Sequence, residues 1–142
     1  MNNSIAPKWF VFVAVFALIW NLLGVAAFFF GPTMNAEAMV SLPQAQQDIY
    51  AATPFWAVIA FAIAVCGGAL GSLLLVLKNA LAKPVLMASL AAVLVQMFHA
   101  FFLANSWEVF GPGGTIMPLM VIIIAIALVW LSCKAKENSW IS

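Results

Sequence analysis

Four uncharged apolar runs are the sequence feature that most restricts what this chain can fold into. They cover residues 9–30, 55–77, 84–104 and 115–133, and none of them contains Asp, Glu, Lys or Arg. A hydrocarbon core of roughly 30 Å takes about 20 apolar residues to cross as a helix, so each run is long enough to span a bilayer. A helix also pairs all the polar groups of a backbone surrounded by lipid. We therefore predict an all-α, integral membrane four-helix bundle that forms a single membrane domain over residues 1–142.

Composition excludes several classes of function. Only 6% of the residues are charged, whereas about a quarter are charged in a water-soluble domain. A net charge of +1 leaves no basic surface for nucleic acid, which we exclude as a partner. Cys66 and Cys133 are far apart in the sequence, and one His without a carboxylate cluster supplies neither a metal site nor a pair of haem ligands. We expect no metal, no cofactor and no catalytic residues, because a Ser72–His99 hydrolase dyad would lack an oxyanion-hole motif.

The lysines predict the orientation of the chain. Lysines in short loops are retained on the cytoplasmic side of a membrane. All five lysines fall on one side of the four runs, whereas three of the four acidic residues fall in the two connections on the other side. The lysines are Lys8, Lys78, Lys83, Lys134 and Lys136. We therefore expect a multi-pass protein with both termini in the cytoplasm.

The connection between the first two runs is the only sizeable polar segment. It covers residues 31–54, and residues 35–40 and 43–50 within it are predicted to form short helices. The segment is either a surface connector on the outer side or a lid that faces a substrate site.

Turn-forming residues predict where several elements begin or end. Pro43 suits the first turn of a helix, and Thr53 followed by Pro54 predicts a side-chain cap at the start of the second span. In the other outer connection, residues 105–114, the Gly-Pro-Gly-Gly sequence predicts a tight, irregular turn.

Small residues form one face of the second span. Gly67, Gly68, Gly71 and Ser72 lie at helical spacing, and helices in lipid associate through close contact of such residues. We therefore expect these four to be helix-packing positions. The alternative is that the glycines let a substrate or a moving helix approach the backbone. If the chain forms a homodimer or a larger membrane complex, this face is where we expect a second copy to dock.

Three polar side chains lie within the predicted membrane core. Asn21, Gln96 and His99 are about 18, 16 and 21 Å into their spans at 1.5 Å per residue. An unpaired amide in hydrocarbon costs several kcal/mol, so each amide needs a partner. His99 is the only acidic or basic residue in any span, and such residues commonly mark substrate pathways. We expect it to be neutral, and either bonded within the bundle or open to the outer side. All three residues are candidates for a substrate pathway, with structural hydrogen bonding as the alternative role.

Several short segments, spread over most of the chain, form a further pattern. They are Trp20-Asn21-Leu22-Leu23-Gly24; Tyr50 with Thr53-Pro54-Phe55-Trp56; Gly67 to Gly71 with Leu73-Leu74-Leu75 and Lys78; and Ser89 with Val93-Leu94-Val95-Gln96. Together they resemble a family of short bacterial inner-membrane proteins that are commonly labelled sugar transporters. The resemblance implies a place in the bacterial cytoplasmic membrane and uptake or export of a small solute. It implies no mechanism and no substrate-binding residue.

Two functions from different classes follow. The first is a solute permease or permease subunit, favoured by polar residues that open toward the outer side beneath a long connection. The second is a non-transporting membrane protein that binds or stabilises a partner membrane complex. It is favoured by the small size of a four-helix bundle, because larger carriers line their substrate sites with more helices.

Overall fold

The computed structural model describes residues 5–103 and 106–142, and every regular element within them is a helix. In chain order the helices are α1 (Lys8–Phe30), α2 (Ala36–Val40), α3 (Gln44–Ala52), α4 (Phe55–Val76), α5 (Ala82–Phe98) and α6 (Ser106–Glu137). Helix α5 continues as a π-helical segment, His99–Leu103.

Four of the helices are long and apolar enough to cross a membrane. These candidate spans are Lys8–Phe30, Phe55–Val76, Ala82–Leu103 and Ile116–Glu137. Large apolar side chains such as Phe12 and Phe16 of α1 are exposed on the outside of the bundle, as expected for faces that contact lipid tails. The prediction of an all-α protein with four spans is confirmed. The protein is a multi-pass integral membrane protein in contact with the bilayer.

Helix α4 lies at the centre of the bundle. It contacts α1 and α5, and α5 in turn contacts α6. The four long helices alternate in direction, so the five lysines lie at one end of the bundle and α2 and α3 lie at the other. We call these the lysine end and the loop end.

The largest cluster of buried side chains lies toward the lysine end. Phe10 of α1, Leu75 of α4 and Leu131 of α6 are buried there, together with Ile141 from the chain that follows α6. Burial of Ile141 means that the last residues of the chain belong to the core.

The segment after α6 is attached to the lysine end by backbone and ring contacts. The Ser142 N–H donates to the Lys78 carbonyl at 3.0 Å, and the Ala80 N–H donates to the Ser142 carbonyl at 3.2 Å. The Trp140 ring meets the Trp9 ring edge-on, with centroids 5.5 Å apart. The last residues therefore connect α1 to the α4–α5 turn and close this end of the bundle.

The two short helices of the long connection are confirmed as α2 and α3. The Asn35 side chain accepts a hydrogen bond from the Glu37 N–H at 3.0 Å and so caps α2. The predicted cap on the second span is wrong. The Thr53 hydroxyl donates to the Ile49 carbonyl at 2.8 Å, and Pro54 precedes α4 without a side-chain cap. Thr53 therefore ends α3 instead of starting α4.

The predicted turn at residues 105–114 is wrong in extent. Helix α6 begins at Ser106 and is interrupted at Gly111, where φ is 75°. Glycine adopts this conformation at little cost, so one residue is enough for the change of direction. Asn105 lies outside the described residues.

Candidate ligand cavity between the helices

A cavity of about 600 Å³ lies between the four long helices. It extends from Tyr50 and His99 at the loop end to Leu86 and Leu128 toward the lysine end, where the buried core closes it. Cavities that hold drug-sized ligands have volumes of about 300–1,000 Å³. This cavity is therefore large enough for a small organic molecule.

The cavity separates α1 from α6. Leu23 of α1 and Met117 of α6 both line it, and they are 62% and 58% exposed. Helix α3 contacts α6 and so extends over the loop end of the gap. Below α3, the gap between α1 and α6 is bordered by these exposed apolar side chains, as expected for a surface in contact with lipid.

Asn21 lines the cavity, but both of its amide hydrogens are already used. Its Nδ2 donates to the Ser72 hydroxyl of α4 at 3.0 Å and to the Ala17 carbonyl at 2.8 Å. Its Oδ1 lies directly against Gly68, where a Cβ would have no room. Asn21 therefore joins α1 to α4 and has no hydrogen left to donate to a ligand.

The predicted helix-packing residues lie where α4 meets its neighbours. Gly68 and Ser72 contact α1 through the amide just described, while Gly67 and Gly71 face α5. A Cβ at Gly71 would lie 2.6 Å from Leu86 Cγ. Helices α1 and α5 of the same chain therefore cover this face. A dimer contact at this face stays a prediction and would require one of them to move aside.

Gln96 of α5 and His99, the first residue after α5, lie one turn apart and both line the cavity toward the loop end. Within the described residues, neither side chain forms a hydrogen bond. His99 is only 9% exposed, and no fully buried side-chain nitrogen or oxygen in the described part lacks a partner. The ring nitrogens of His99 therefore reach the cavity surface. Of the two environments expected for His99, the hydrogen bond within the bundle is absent among the described residues, and the ring lines the cavity.

An aromatic ring and a change of helix type position the imidazole. Trp56 of α4 meets His99 edge-on, with ring centroids 5.3 Å apart. His99 is also the first residue of the π-helical segment that extends α5. Segments of this kind occur frequently at functional sites.

The three pathway candidates do not form one cluster. Asn21 lies level with Gly68 of α4, whereas His99 lies level with Trp56, about 18 Å farther toward the loop end at 1.5 Å per residue. Ser72 is farther still from His99, which excludes a hydrogen-bonded Ser72–His99 dyad. Only Gln96 and His99 share one region of the cavity.

Aromatic residues of the cavity were not identified from the sequence. Trp20 lines its wall, and Tyr50 of α3 lies at its loop end. Burial raises the pKa of Tyr50 above its ordinary value of 10.0, so the phenol stays protonated at neutral pH. The sequence could have predicted that Trp56 lies beside His99. The second and third spans are antiparallel neighbours, so the start of the second span lies at the same depth as the end of the third.

The described lining of the cavity carries no Asp, Glu or Lys. In the described part of the chain, no group of three His, Cys, Asp or Glu side chains could hold a metal ion. The walls are mainly aliphatic and aromatic, which fits binding of an uncharged molecule.

Comparisons of the chain with protein families, characterised proteins and solved structures found no match.

Proposed function

We propose that the protein is a membrane permease or permease subunit that binds a small solute in the cavity. The observation that carries the proposal is the cavity of about 600 Å³, closed at the lysine end. Toward the loop end it is lined by Gln96 and His99, whose side chains form no hydrogen bond to any described residue. Protein interiors are normally close-packed, with few voids larger than a water molecule. A bundle that only supported a partner would gain stability by filling this space with side chains.

The proposal includes an orientation, with the lysine end in the cytoplasm of a bacterium. All five lysines lie at that end, and cytoplasmic loops carry an excess of lysine. A reporter enzyme that is active only in the periplasm, fused after Ser142, should therefore be inactive. Activity of that fusion would reverse the orientation.

In this orientation the polar end of the cavity lies toward the outer side, beneath α3, and the cavity is closed toward the cytoplasm. Passage of a solute requires the lysine end to open, which separates Trp9 from Trp140 and breaks the two backbone hydrogen bonds of Ser142. Each such bond contributes about 0.5–1.5 kcal/mol net. A closure of this strength can exchange with a minor open state.

Uptake into liposomes tests the proposal. The purified protein would be reconstituted and offered a panel of radiolabelled small neutral solutes that runs from sugars to amphiphilic alcohols. We expect saturable uptake that Gln96→Leu and His99→Leu each reduce at least tenfold, because each removes a free hydrogen-bonding group from the cavity. Phe98→Leu is the matched control, since Phe98 adjoins His99 but is 54% exposed on the outside of the bundle. It should leave uptake unchanged.

The outcomes separate the two functions expected from the sequence. Loss of uptake in cavity variants that still elute as folded protein would support a permease. If the folded protein takes up no solute, the proposal fails. A non-transporting membrane protein that binds or stabilises a partner complex then becomes the favoured function.

A further inference from the structure

We infer that the ligand of this cavity is a neutral membrane amphiphile and not a sugar. Its apolar body would occupy the deep half of the cavity, and one uncharged hydrogen-bonding head would lie beside Gln96 and His99. The inference rests on the proposed function, because it takes the same cavity as the binding site and names the chemical class of the ligand.

The deep half of the cavity offers a ligand almost no hydrogen bonds. Asn21 donates both its amide hydrogens within the bundle, and the Ser89 hydroxyl donates to the Ala64 carbonyl at 2.7 Å. The remaining deep walls are apolar side chains, among them Leu86, Val93, Val121, Ile124 and Leu128. A sugar in this region would exchange hydrogen bonds with water for contacts with hydrocarbon, which is unfavourable. An apolar body would gain from the same walls.

The free polar groups lie at the other end of the cavity. An amide provides donors and an acceptor, and an imidazole provides at least one N–H donor, so Gln96 and His99 can together bind a hydroxyl or a carbonyl group. The described lining has no Asp, Glu or Lys to pair with a charged head. A charged head would therefore lose its water without gaining a counter-charge. An uncharged head avoids this cost.

The polarity of the cavity matches that of an amphiphile in the surrounding leaflet. His99 lies level with Trp56, near the loop end of α4 and hence near the membrane surface, while the apolar walls extend toward the middle of the bilayer. The gap between α1 and α6, bordered by Leu23 and Met117, faces the lipid. An amphiphile could enter through this gap without leaving the leaflet or turning over.

A brominated probe tests the inference, because bromine quenches tryptophan fluorescence and Trp20 lines the cavity. The probe is ω-bromoundecanol, titrated into the full chain in lipid nanodiscs. When the hydroxyl of the probe lies beside Gln96 and His99, its alkyl chain places the bromine in the deep half of the cavity. We expect a saturable component of quenching that is absent from Trp20→Phe. Quenching that rises linearly and is identical in Trp20→Phe would overturn the inference, since partition into lipid alone produces it.

The head-binding residues are tested with the same probe. Gln96→Leu and His99→Leu should each raise its apparent Kd at least tenfold, while Phe98→Leu should leave the Kd unchanged. Each variant is first checked for the elution volume of the folded protein. If Gln96→Leu unfolds, Gln96→Glu replaces it and should also weaken binding, because it places a carboxylate beside the uncharged head. An unchanged Kd in folded Gln96 and His99 variants would overturn the placement of the head.

Two further ligands test the chemical class. The carboxylate ω-bromoundecanoate has the same chain with a charged head and should bind at least tenfold more weakly. Glucose in excess should not displace the bromoalcohol. Equal binding of the carboxylate would overturn the neutral head, and displacement by glucose would overturn the amphiphile.

The inference and the proposed function can fail separately. Saturable probe binding without uptake of any solute would reject the permease and keep the amphiphile site. Saturable sugar uptake without probe binding would support the permease and reject the amphiphile site.

Discussion

At the scale of single residues, one amide that lies against one glycine makes the close contact between α1 and α4. Asn21 Oδ1 contacts Gly68, and Asn21 Nδ2 donates a hydrogen bond to the Ser72 hydroxyl. In lipid there is no hydrophobic force between helices, so close approach and hydrogen bonds provide the attraction. Any side chain at position 68 would separate the two helices and break the hydrogen bond.

Alanine substitutions of the glycines should follow the space available at each. Gly68→Ala and Gly71→Ala should each lower the free energy of unfolding by about 1–3 kcal/mol, because the new methyl group overlaps Asn21 or Leu86. Gly24→Ala is the matched control, since its Cβ would meet the nearest atom at 3.4 Å, an ordinary contact. Reversible unfolding in mixed micelles measures all three. Equal effects at the three positions would contradict this account.

The hydrogen bond between α1 and α4 should be measurable as a coupling energy. In a double-mutant cycle of Asn21→Leu and Ser72→Ala, we expect a coupling of about 0.6–2 kcal/mol in unfolding free energy. A coupling near zero would show that the contact does not hold the helices together.

At the scale of elements, α4 and α6 end in the same way. Lys78 and Ser139, which follow them, both have φ of 58°. After α6, the Trp140 N–H donates to the Ala135 carbonyl at 2.8 Å and the Ser139 N–H to the Lys136 carbonyl at 3.2 Å, which is the Schellman arrangement. This arrangement reverses the chain and directs Trp140 back onto the bundle.

Glycine at the left-handed position should stabilise the end of α6. Ser139→Gly removes a conformational cost of about 1–2 kcal/mol and adds a smaller entropic one, so we expect a net gain of about 0.5–1 kcal/mol in unfolding free energy. The control, Ala91→Gly, is at an exposed position inside α5 and should lower that free energy by about 1 kcal/mol. Destabilisation by both substitutions would contradict the assigned backbone conformation.

At the scale of the whole molecule, the segment after α6 closes the lysine end of the bundle, which the long helices alone leave open. Helices α1 and α6 are separated by the cavity, and Trp140 and Ile141 fill the space near Phe10 at its closed end. Closure at one end and a gap along one side are therefore features of the assembled bundle.

Loss of the Trp140 ring should loosen the lysine end without unfolding the rest. In Trp140→Ala, trypsin should cleave after Lys134 and Lys136 at least tenfold faster, because a local opening that becomes about 1.4 kcal/mol easier is populated tenfold more. Phe12→Ala, which removes a ring that is 74% exposed to lipid, is the control and should leave the rate unchanged. Equal cleavage rates in the wild type and in Trp140→Ala would show that this ring does not hold the closure.

The sequence by itself determined that the chain crosses a membrane four times as helices. An uncharged apolar run of about 20 residues has no other way to pair its backbone in lipid, so this part of the fold follows from local composition alone. It also identified Gln96 and His99 as polar groups that need an explanation, because such groups are costly in hydrocarbon.

Only the tertiary structure decided which faces meet and where the cavity lies. Each long helix is apolar all round, so the spacing of apolar residues does not distinguish a face that contacts lipid from one that is buried. Leu23 is 62% exposed and Leu86 is 2% exposed, although both are leucines within spans. Likewise, the depth of Asn21 relative to His99 depends on how α1 and α5 are set against α4. That offset results from side-chain contacts between helices. The sequence of one apolar run does not contain this information.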